Sequence, residues 1–452
     1  MTETLPSRLA EIVGAQHVSV DPDVLAGRCV DYTGRYRGRA SALVRPGSDV
    51  EVASVLVACR DASVPVTIQG GRTSLVAGTV PEHDDVLLST ERLRDIGPVD
   101  VRERRMRVGA GVTAAALQEA AADAALVFGV DLASRDTATI GGMASTNAGG
   151  LRTVRYGNTA EQILGIDVAL PDGTIVRRHS EVRSDNTGYD LTSLFVGAEG
   201  TLGVITAVDV RLHPTPRHRV TAVAGFADLD ALLATSSVFR DVDGIAACEL
   251  IDARGSDLTA EHLGVASPVD GAWHLLVELA GDVDPTERLA ELLAEADLVG
   301  EPAVGMDSAA SQRLWAVREG IGDVLGVCGP PLKFDVSLPL GRTDGFVSAA
   351  TALVAEHAPD AIPVLFGHVG EGNLHLNLVR CTLEGDAERA LYAAMMALIA
   401  EHGGNVSSEH GVGSIKRDYL SMSRTDADVA AMRAVKAAFD PDGYLNPAVL
   451  FP

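Results

Sequence analysis

The sequence predicts an α+β chain built as two domains. Short β-branched runs alternate with Ala-rich helical stretches, too irregularly for a regular βαβ array. The segment LHPTPRHR (212–219) follows a strand-like run and holds two prolines, which remove ladder donors and stop a sheet. Glycine, at 46 of 452 residues, gathers into a few loops. At roughly 100–200 residues per domain, the length is that of two or three domains.

Taken in order, residues 1–35 form an N-terminal helical segment. VEVASVLVACRDA (50–62) reads as a helix, and PVTIQ (65–69) and VLLS (86–89) read as strands. RMRVGAG (105–111) leads into a helix from about Thr113 to Leu126, with Thr113 as its N-cap because a threonine hydroxyl accepts a first-turn N–H. Segments 163–170 and 203–211 are further strands. The proline-broken segment sets a boundary near 215–220, separating a first domain (36–216) from a second (217–452). In the second, strands at 273–279, 333–338, 362–366 and 374–379 alternate with amphipathic helices at 285–297, 308–327, 343–357, 386–402 and 426–438. The chain has no fixed-period repeat and no low-complexity tract.

Composition excludes several function classes. Lys and Arg number 37 against 62 Asp and Glu, a formal net charge of −25. Such a surface repels phosphate backbones and anionic lipid heads, which argues against nucleic-acid binding and peripheral membrane binding. A buried site still makes its own local field, so an anionic substrate stays open. No window approaches the roughly 18 uncharged apolar residues of a membrane span. MTETLPSRLAEIVG lacks a basic n-region and a long apolar run, so it does not read as a secretory signal. Five scattered cysteines without a C-x-x-C pair read as reduced thiols. The expected location is cytoplasmic, with a loose membrane association through an electron acceptor as a variant of it.

Three glycine segments carry the first functional signal. QGGRTS (69–74) follows a strand with two adjacent glycines, whose backbone N–H groups suit a diphosphate, and Thr73 and Ser74 add hydroxyls. Alone it reads as a tight turn, and it is not G-x-G-x-x-G. TIGGMASTNAGG (139–150) holds four glycines and almost no bulk, so something else must lie against it. VGAEGTLGVIT (196–206) repeats the pattern at the start of a strand. Three such loops in one domain read as a cofactor cradle.

The carboxy-terminal half carries the second signal. In VLFGHVGEGNLHLNLV (364–379), alternation puts Asn373, His375 and Asn377 on one face and Leu374, Leu376 and Leu378 on the other. His368 lies across a glycine turn from His375, and two imidazoles there resemble half of a transition-metal site. SSEHGVGS (407–414) places Glu409 and His410 side by side before a helix expected near Ser414. Glu409 could complete a His–His–carboxylate set while His410 faces a substrate; taken alone, the segment reads as a surface loop. WAVREGIG (315–322) offers Arg318, whose planar fork suits a carboxylate, and LKFDVSLP (332–339) puts Lys333, Asp335 and Ser337 on one face.

These motifs resemble those of the vanillyl-alcohol oxidase-type flavoproteins, in the branch that oxidises D-2-hydroxy acids: D-lactate dehydrogenase, D-2-hydroxyglutarate dehydrogenase and the FAD subunit of glycolate oxidase. The matching stretches are PVTIQGGRTSL (65–75), TIGGMASTNAGGLRTVRYG (139–157), SDNTGYDL (184–191), VGAEGTLGVIT (196–206) and the three carboxy-terminal segments. The resemblance implies an FAD-binding domain followed by an α+β substrate- and metal-binding domain. By resemblance, Gly70, Gly71, Arg72, Thr73 and Ser74 line the FAD diphosphate. Thr139, Gly142, Thr146, Asn147 and Gly149 run along the isoalloxazine and ribityl chain. Glu199, Gly200, Gly203 and Ile205 contact the rest of the nucleotide, and Asn446 returns to the flavin. Positions 65–80 hold no histidine, so the FAD is expected to be non-covalent. His368, His375 and Glu409 would bind a divalent metal, zinc first and manganese second. His410 would be the general base, Arg318 and Lys333 would hold a substrate carboxylate, and Asn377 would touch the substrate. Two departures stand out: Glu371 where relatives often have Asp, and Gly322 where the D-2-hydroxyglutarate enzymes have a Thr one turn after the Arg, which weakens the case for a dicarboxylate.

The implied reaction takes a D-2-hydroxy acid to its 2-oxo acid, removing the hydroxyl proton to a base and the α-hydrogen as hydride to flavin. The electron acceptor, whether quinone, electron-transfer flavoprotein or cytochrome, leaves no readable motif, and a homodimer is kept open. Two alternatives remain at this point: an FAD subunit of a glycolate-oxidising complex, and a flavin-free zinc hydrolase suggested by the His–His–Glu set alone.

Overall fold

The structure, a computed structural model, describes residues 4–179, 182 and 185–452; Met1–Glu3 of the N-terminal segment and Ser184 of the SDNTGYDL motif lie outside the described residues. The chain divides into two compact units, each described here by itself.

The first unit comprises Met1–Gly149, Gly157–Thr215 and Glu409–Pro452. The N-terminal segment supplies helices Leu5–Val13 and Pro22–Arg28. A four-stranded sheet runs in the order Val18–Ser19, Ala40–Val44, Asp85–Ser89, Val66–Gln69, its last three strands parallel. The helix Asp49–Asp61 starts where Ser48 accepts the Glu51 N–H (3.2 Å), and it buries Val52, Val55, Leu56 and Cys59 at helical spacing. Each such side chain contributes about 1.5–3 kcal/mol by burial, and Leu56→Ala would cost about 2–5 kcal/mol. An antiparallel sheet runs in the order Arg105–Gly109, Val204–Pro214, Ile163–Ala169, Ile175–Arg178, with Leu126–Phe128 also on Val204–Pro214. The end of the chain returns here: Leu445 bridges Val66 in parallel, and the Asn446 N–H donates to the Val66 carbonyl (2.8 Å).

The second unit comprises Gly150–Tyr156 and Pro216–Ser408. It is built on a seven-stranded antiparallel sheet in the order Ala303–Gly305, His218–Phe226, Trp273–Gly281, Ile245–Asp252, Ile362–Gly367, Asn373–Val379, Leu332–Ser337. On one face, helices Ala253–Leu263 and Ser308–Val327 form a core with Ile251, Val364 and Phe366. On the other, Phe334 packs against Tyr392 of the helix Gly385–Glu401 (ring centroids 5.0 Å).

Beyond the membership of Glu409–Pro452 in the first unit and of Gly150–Tyr156 in the second, the differences from the sequence reading are local. The helix capped by Thr113 ends at Ala122; Ala125 turns to φ +56°, and Leu126–Phe128 becomes a strand whose Phe128 backbone is held at both ends by the Gln118 amide. Part of the segment expected as loop, Ile140–Thr146, is a helical turn capped by Thr139. No helix starts near Ser414: the backbone tightens instead into a 3₁₀ stretch at Arg417–Met422. Among the described residues no helix is long and apolar enough to cross a membrane.

Candidate active site

In the first unit the three glycine segments meet around one cleft. Of the sequence-predicted residues, Gly70, Ser74, Gly142, Thr146, Glu199, Gly200, Gly203, Ile205 and Asn446 line it. Gly78, Thr79, Thr90, Gly141 and Ser145 join them. Six of its sixteen lining residues are glycine, so much of the wall is backbone that a planar ring or a diphosphate can approach closely. Two of the nominated glycines are required sterically. A Cβ on Gly71 would sit 2.0 Å from the Thr137 carbonyl oxygen. One on Gly200, at φ +71°, would meet the Asn446 Nδ2 at 2.7 Å.

Several nominated polar side chains turn out to hold the frame. Arg72, at φ +58°, donates to the Gly27 carbonyl (2.9 Å). Thr139 accepts the Gly142 N–H, and Asn147 ends that helical turn at φ +50° while its Oδ1 accepts from the Ala160 N–H (2.8 Å). These residues, like Gly71, Thr73 and Gly149, are not among those that line the cleft. Asn446 accepts the Ile68 N–H (2.8 Å) and donates to the Glu199 carbonyl (2.7 Å). Buried at the end of the strand before the first glycine loop, Gln69 donates twice through Nε2, but its Oε1 has no hydrogen-bond partner among the described residues.

Glu199 does more than line the cleft. Its carboxylate accepts the Val412 N–H at Oε1 and the Gly413 N–H at Oε2, both at 2.8 Å. Burial raises its pKa, opposed by those two N–H groups and by the charge of Lys416. The clamp fixes the loop that carries Glu409 and His410, whose Oε1 and Nε2 lie 3.6 Å apart.

In the second unit, strand register puts Lys333, Asp335, His375, Asn377, Phe366 and Ile251 on one face of the sheet. His368 and His375 meet edge to face, with ring centroids 5.3 Å apart and planes at 90°. Each ring turns Nδ1 to a buried carboxylate: His368 to Glu249 (2.7 Å) and His375 towards Asp335 (3.6 Å). Asp335 also accepts the Ser408 N–H (3.0 Å). The Nε of Arg318 donates to Glu249 (2.8 Å), and its guanidinium lies over the Phe366 ring, 4.6 Å from the centroid. Among the described residues, Nη1 and Nη2 of Arg318 and the ammonium of Lys333 have no hydrogen-bond partner. Burial pushes the Lys333 pKa down to about 8. Asn377, fully buried, donates to the His375 carbonyl (3.2 Å). A Cβ built on Gly322, one turn after Arg318, would meet no atom within 4 Å.

Compared with known proteins, residues 215–450 match the family model of the FAD linked oxidases, C-terminal domain, which is more than half of the chain. The chain belongs to the FAD-linked oxidase family. Residues 40–178 of this family member match the FAD binding domain. It is 35% identical to the mitochondrial D-2-hydroxyglutarate dehydrogenase of Bos taurus, over 96% of this chain and 81% of the relative. It is 32% identical to D-2-hydroxyglutarate dehydrogenase of Stutzerimonas stutzeri (strain A1501), over 99% and 98%. A solved structure of p-cresol methylhydroxylase with substrate bound superposes with a TM-score of 0.82, at 17% identity, over 98% of this chain and 95% of that one. The fold is therefore the two-domain vanillyl-alcohol oxidase type, and the FAD-binding domain sets aside a flavin-free hydrolase.

The residues present fit the groups this oxidase family implies. The first unit has a glycine-walled cleft with an open buried acceptor, Gln69 Oε1, beside it. The second has two histidines whose Nδ1 atoms face carboxylates, the arrangement that orients metal-ligating imidazoles. The sequence reading missed Glu249, because 245–252 (IAACELID) is apolar apart from its acids and shows no alternation that would mark a half-polar strand.

Proposed function

We propose that this oxidase acts on D-2-hydroxyglutarate, with D-lactate as the smaller alternative, and that a divalent metal held by His368, His375 and Glu409 assists. The coarser activity is that of its branch: FAD-dependent oxidation of a D-2-hydroxy acid to the 2-oxo acid. The observation that carries the choice of substrate is a pair of cationic groups in the second unit with donors to spare: the Lys333 ammonium, which no carboxylate pairs among the described residues, and the Nη1 and Nη2 of Arg318, whose Nε alone is held by Glu249. An ammonium shielded from water without a counter-charge is costly, and a carboxylate relieves it; with the open Arg318 fork as a second carboxylate site, the pair matches a dicarboxylate better than a monocarboxylate.

Arg318 offers two parallel Nη donors in a plane fixed by Glu249 and Phe366, which orients a carboxylate as a fork. Lys333, half-buried, supplies a point charge, and Asn377 adds an amide beside it. His410 takes the hydroxyl proton on a ring nitrogen, and the loop that bears it is held by Glu199. FAD, when bound, supplies the two-electron acceptor for the α-hydrogen. The metal, when bound, polarises the substrate oxygens and favours loss of that proton. The two histidines offer nitrogen ligands, and Glu409, next in the chain after Ser408, offers the carboxylate; this donor set suits zinc and, second, manganese. The FAD is non-covalent in this reading, and electrons leave to a separate acceptor.

An anaerobic absorption spectrum of the purified protein tests the reading. D-2-hydroxyglutarate should bleach the flavin bands and the L-isomer should not. Bleaching by D-lactate alone would move the substrate to the monocarboxylate, in keeping with the space at Gly322. Bleaching by glycolate only together with a partner subunit would favour a glycolate-oxidising complex. A protein that takes up no FAD would refute the reading.

A further inference from the structure

We infer that Glu249 is the positioning residue of the second unit: one buried carboxylate that sets both the substrate clamp and a metal-facing histidine. The inference rests on the function proposed above and deepens it. Glu249 is 1% exposed, on the strand Ile245–Asp252. Its Oε2 accepts from the Arg318 Nε at 2.8 Å and its Oε1 accepts from the His368 Nδ1 at 2.7 Å, and these are all the side-chain bonds it makes.

Each bond removes one freedom from a functional side chain. Nε lies on the side edge of a guanidinium, so holding it there leaves the end-on pair Nη1 and Nη2 free for a carboxylate. The Phe366 ring 4.6 Å beneath then fixes the plane of the fork. For His368, a carboxylate acceptor demands a proton on Nδ1, and the neutral ring then carries its lone pair on Nε2. Without Glu249 the ring could hold the other tautomer, which cannot ligate through Nε2. A carboxylate of two oxygens is needed because it accepts on both sides at once. An amide accepts on one side only and presents a donor to the other.

The bland alternative is a buried ion pair that only adds stability. It predicts that removing Glu249 lowers the melting temperature and changes substrate and metal affinity only through unfolding. The positioning role predicts a specific pattern in E249Q. Metal affinity for added Zn²⁺, measured with a competing chelator, should fall about 10- to 100-fold, the range typical of lost outer partners. KM for D-2-hydroxyglutarate should rise about tenfold or more, with a smaller fall in kcat. Flavin content should stay near that of the parent protein, and the losses in metal and substrate affinity should persist at assay temperatures well below any lowered melting temperature. Metal affinity and KM equal to the parent's would overturn the inference, as would losses that track a lowered melting temperature.

A second measurement needs no metal, no substrate and no change at Glu249. In the metal-free holoprotein with ¹⁵N-labelled histidine, long-range ¹H–¹⁵N spectra report which ring nitrogen of His368 carries the proton, with H368N giving the assignment. Protonated Nδ1 supports the inference; an Nε2-only tautomer overturns it whatever the enzyme does. A protonated Nδ1 in a protein that binds no metal and oxidises no D-2-hydroxy acid would instead refute the proposed function and leave the Glu249–His368 geometry standing.

Discussion

Glu199 makes a quantitative claim about the loop that bears His410. Its carboxylate is buried and receives two backbone N–H groups, from Val412 and Gly413, each at 2.8 Å. Hydrogen bonds to a charged acceptor contribute about 1.5–3 kcal/mol each. Glu199→Gln keeps one oxygen acceptor and aims an amide donor at the other N–H, so it loses one bond. Glu199→Ala loses both, about 3–6 kcal/mol against a total stability of about 5–15 kcal/mol. Amide hydrogen exchange of the FAD-loaded protein reads this residue by residue. Since 1.4 kcal/mol is a factor of ten, whichever of Val412 and Gly413 loses its acceptor should exchange about 10- to 100-fold faster in the Gln variant, while strands such as Val204–Pro214 keep their protection. In the Ala variant both amides should approach the rate of an open loop, and turnover should fall with them while FAD stays bound. Unchanged exchange at 412 and 413 in both variants would refute the reasoning, because the two bonds would then carry no load.

Three further predictions follow from the same geometry. Burial holds the Lys333 pKa at about 8, below its unfolded value, so the ammonium is present at pH 7 and is lost above about 8. KM for the acid should climb by up to tenfold per pH unit beyond that point, and Lys333→Arg, charged throughout, should flatten the rise; a KM profile level to pH 9.5 in the parent would speak against a substrate role. The same depression makes the unfolded chain bind the extra proton between about pH 8 and 10.4, so this group's contribution favours folding increasingly as pH rises through that window. Gly71→Ala brings a methyl to within 2.0 Å of the Thr137 carbonyl, a clash costing about 1–3 kcal/mol if the loop yields; the purified variant should carry much less flavin per chain, and full flavin content would count against this packing. Dialysis against a chelator should abolish turnover with the flavin spectrum intact, and Zn²⁺ or Mn²⁺ should restore it; undiminished turnover in chelator would remove the metal from the mechanism.

The sequence exposes the two units through opposite signals. In the second unit, chemistry is carried by residue type. Strict alternation from Asn373 to Leu378 places Asn373, His375 and Asn377 on one face from the sequence alone, and the register with Leu332–Ser337 bears that face out. The partners that orient these side chains are less legible. Glu249 comes from a strand 119 residues before His368, and only the order of the sheet brings them together. The strands His218–Phe226 and Ile245–Asp252 escape notice for a related reason: the second is buried on both faces, so its apolar residues show no period of two.

In the first unit the signal is the absence of side chains. The glycines of the three loops wall a cleft, because nothing of their own fills the space. The polar residues among them are harder to interpret, since Arg72, Thr139, Asn147, Glu199 and Asn446 have the chemistry of ligands and make their bonds to backbone. A loop of small residues cannot hold its shape by packing, so its shape must come from hydrogen bonds, and polar side chains are the available source. Each amide or carboxylate that fixes a glycine turn leaves that turn's own backbone facing the cleft. The same argument explains why Glu199 and Glu249 do comparable work in different units. In both, a buried carboxylate with two oxygens holds two donors at once, and what it orders is the group beside it: the His410 loop in one case, and Arg318 with His368 in the other.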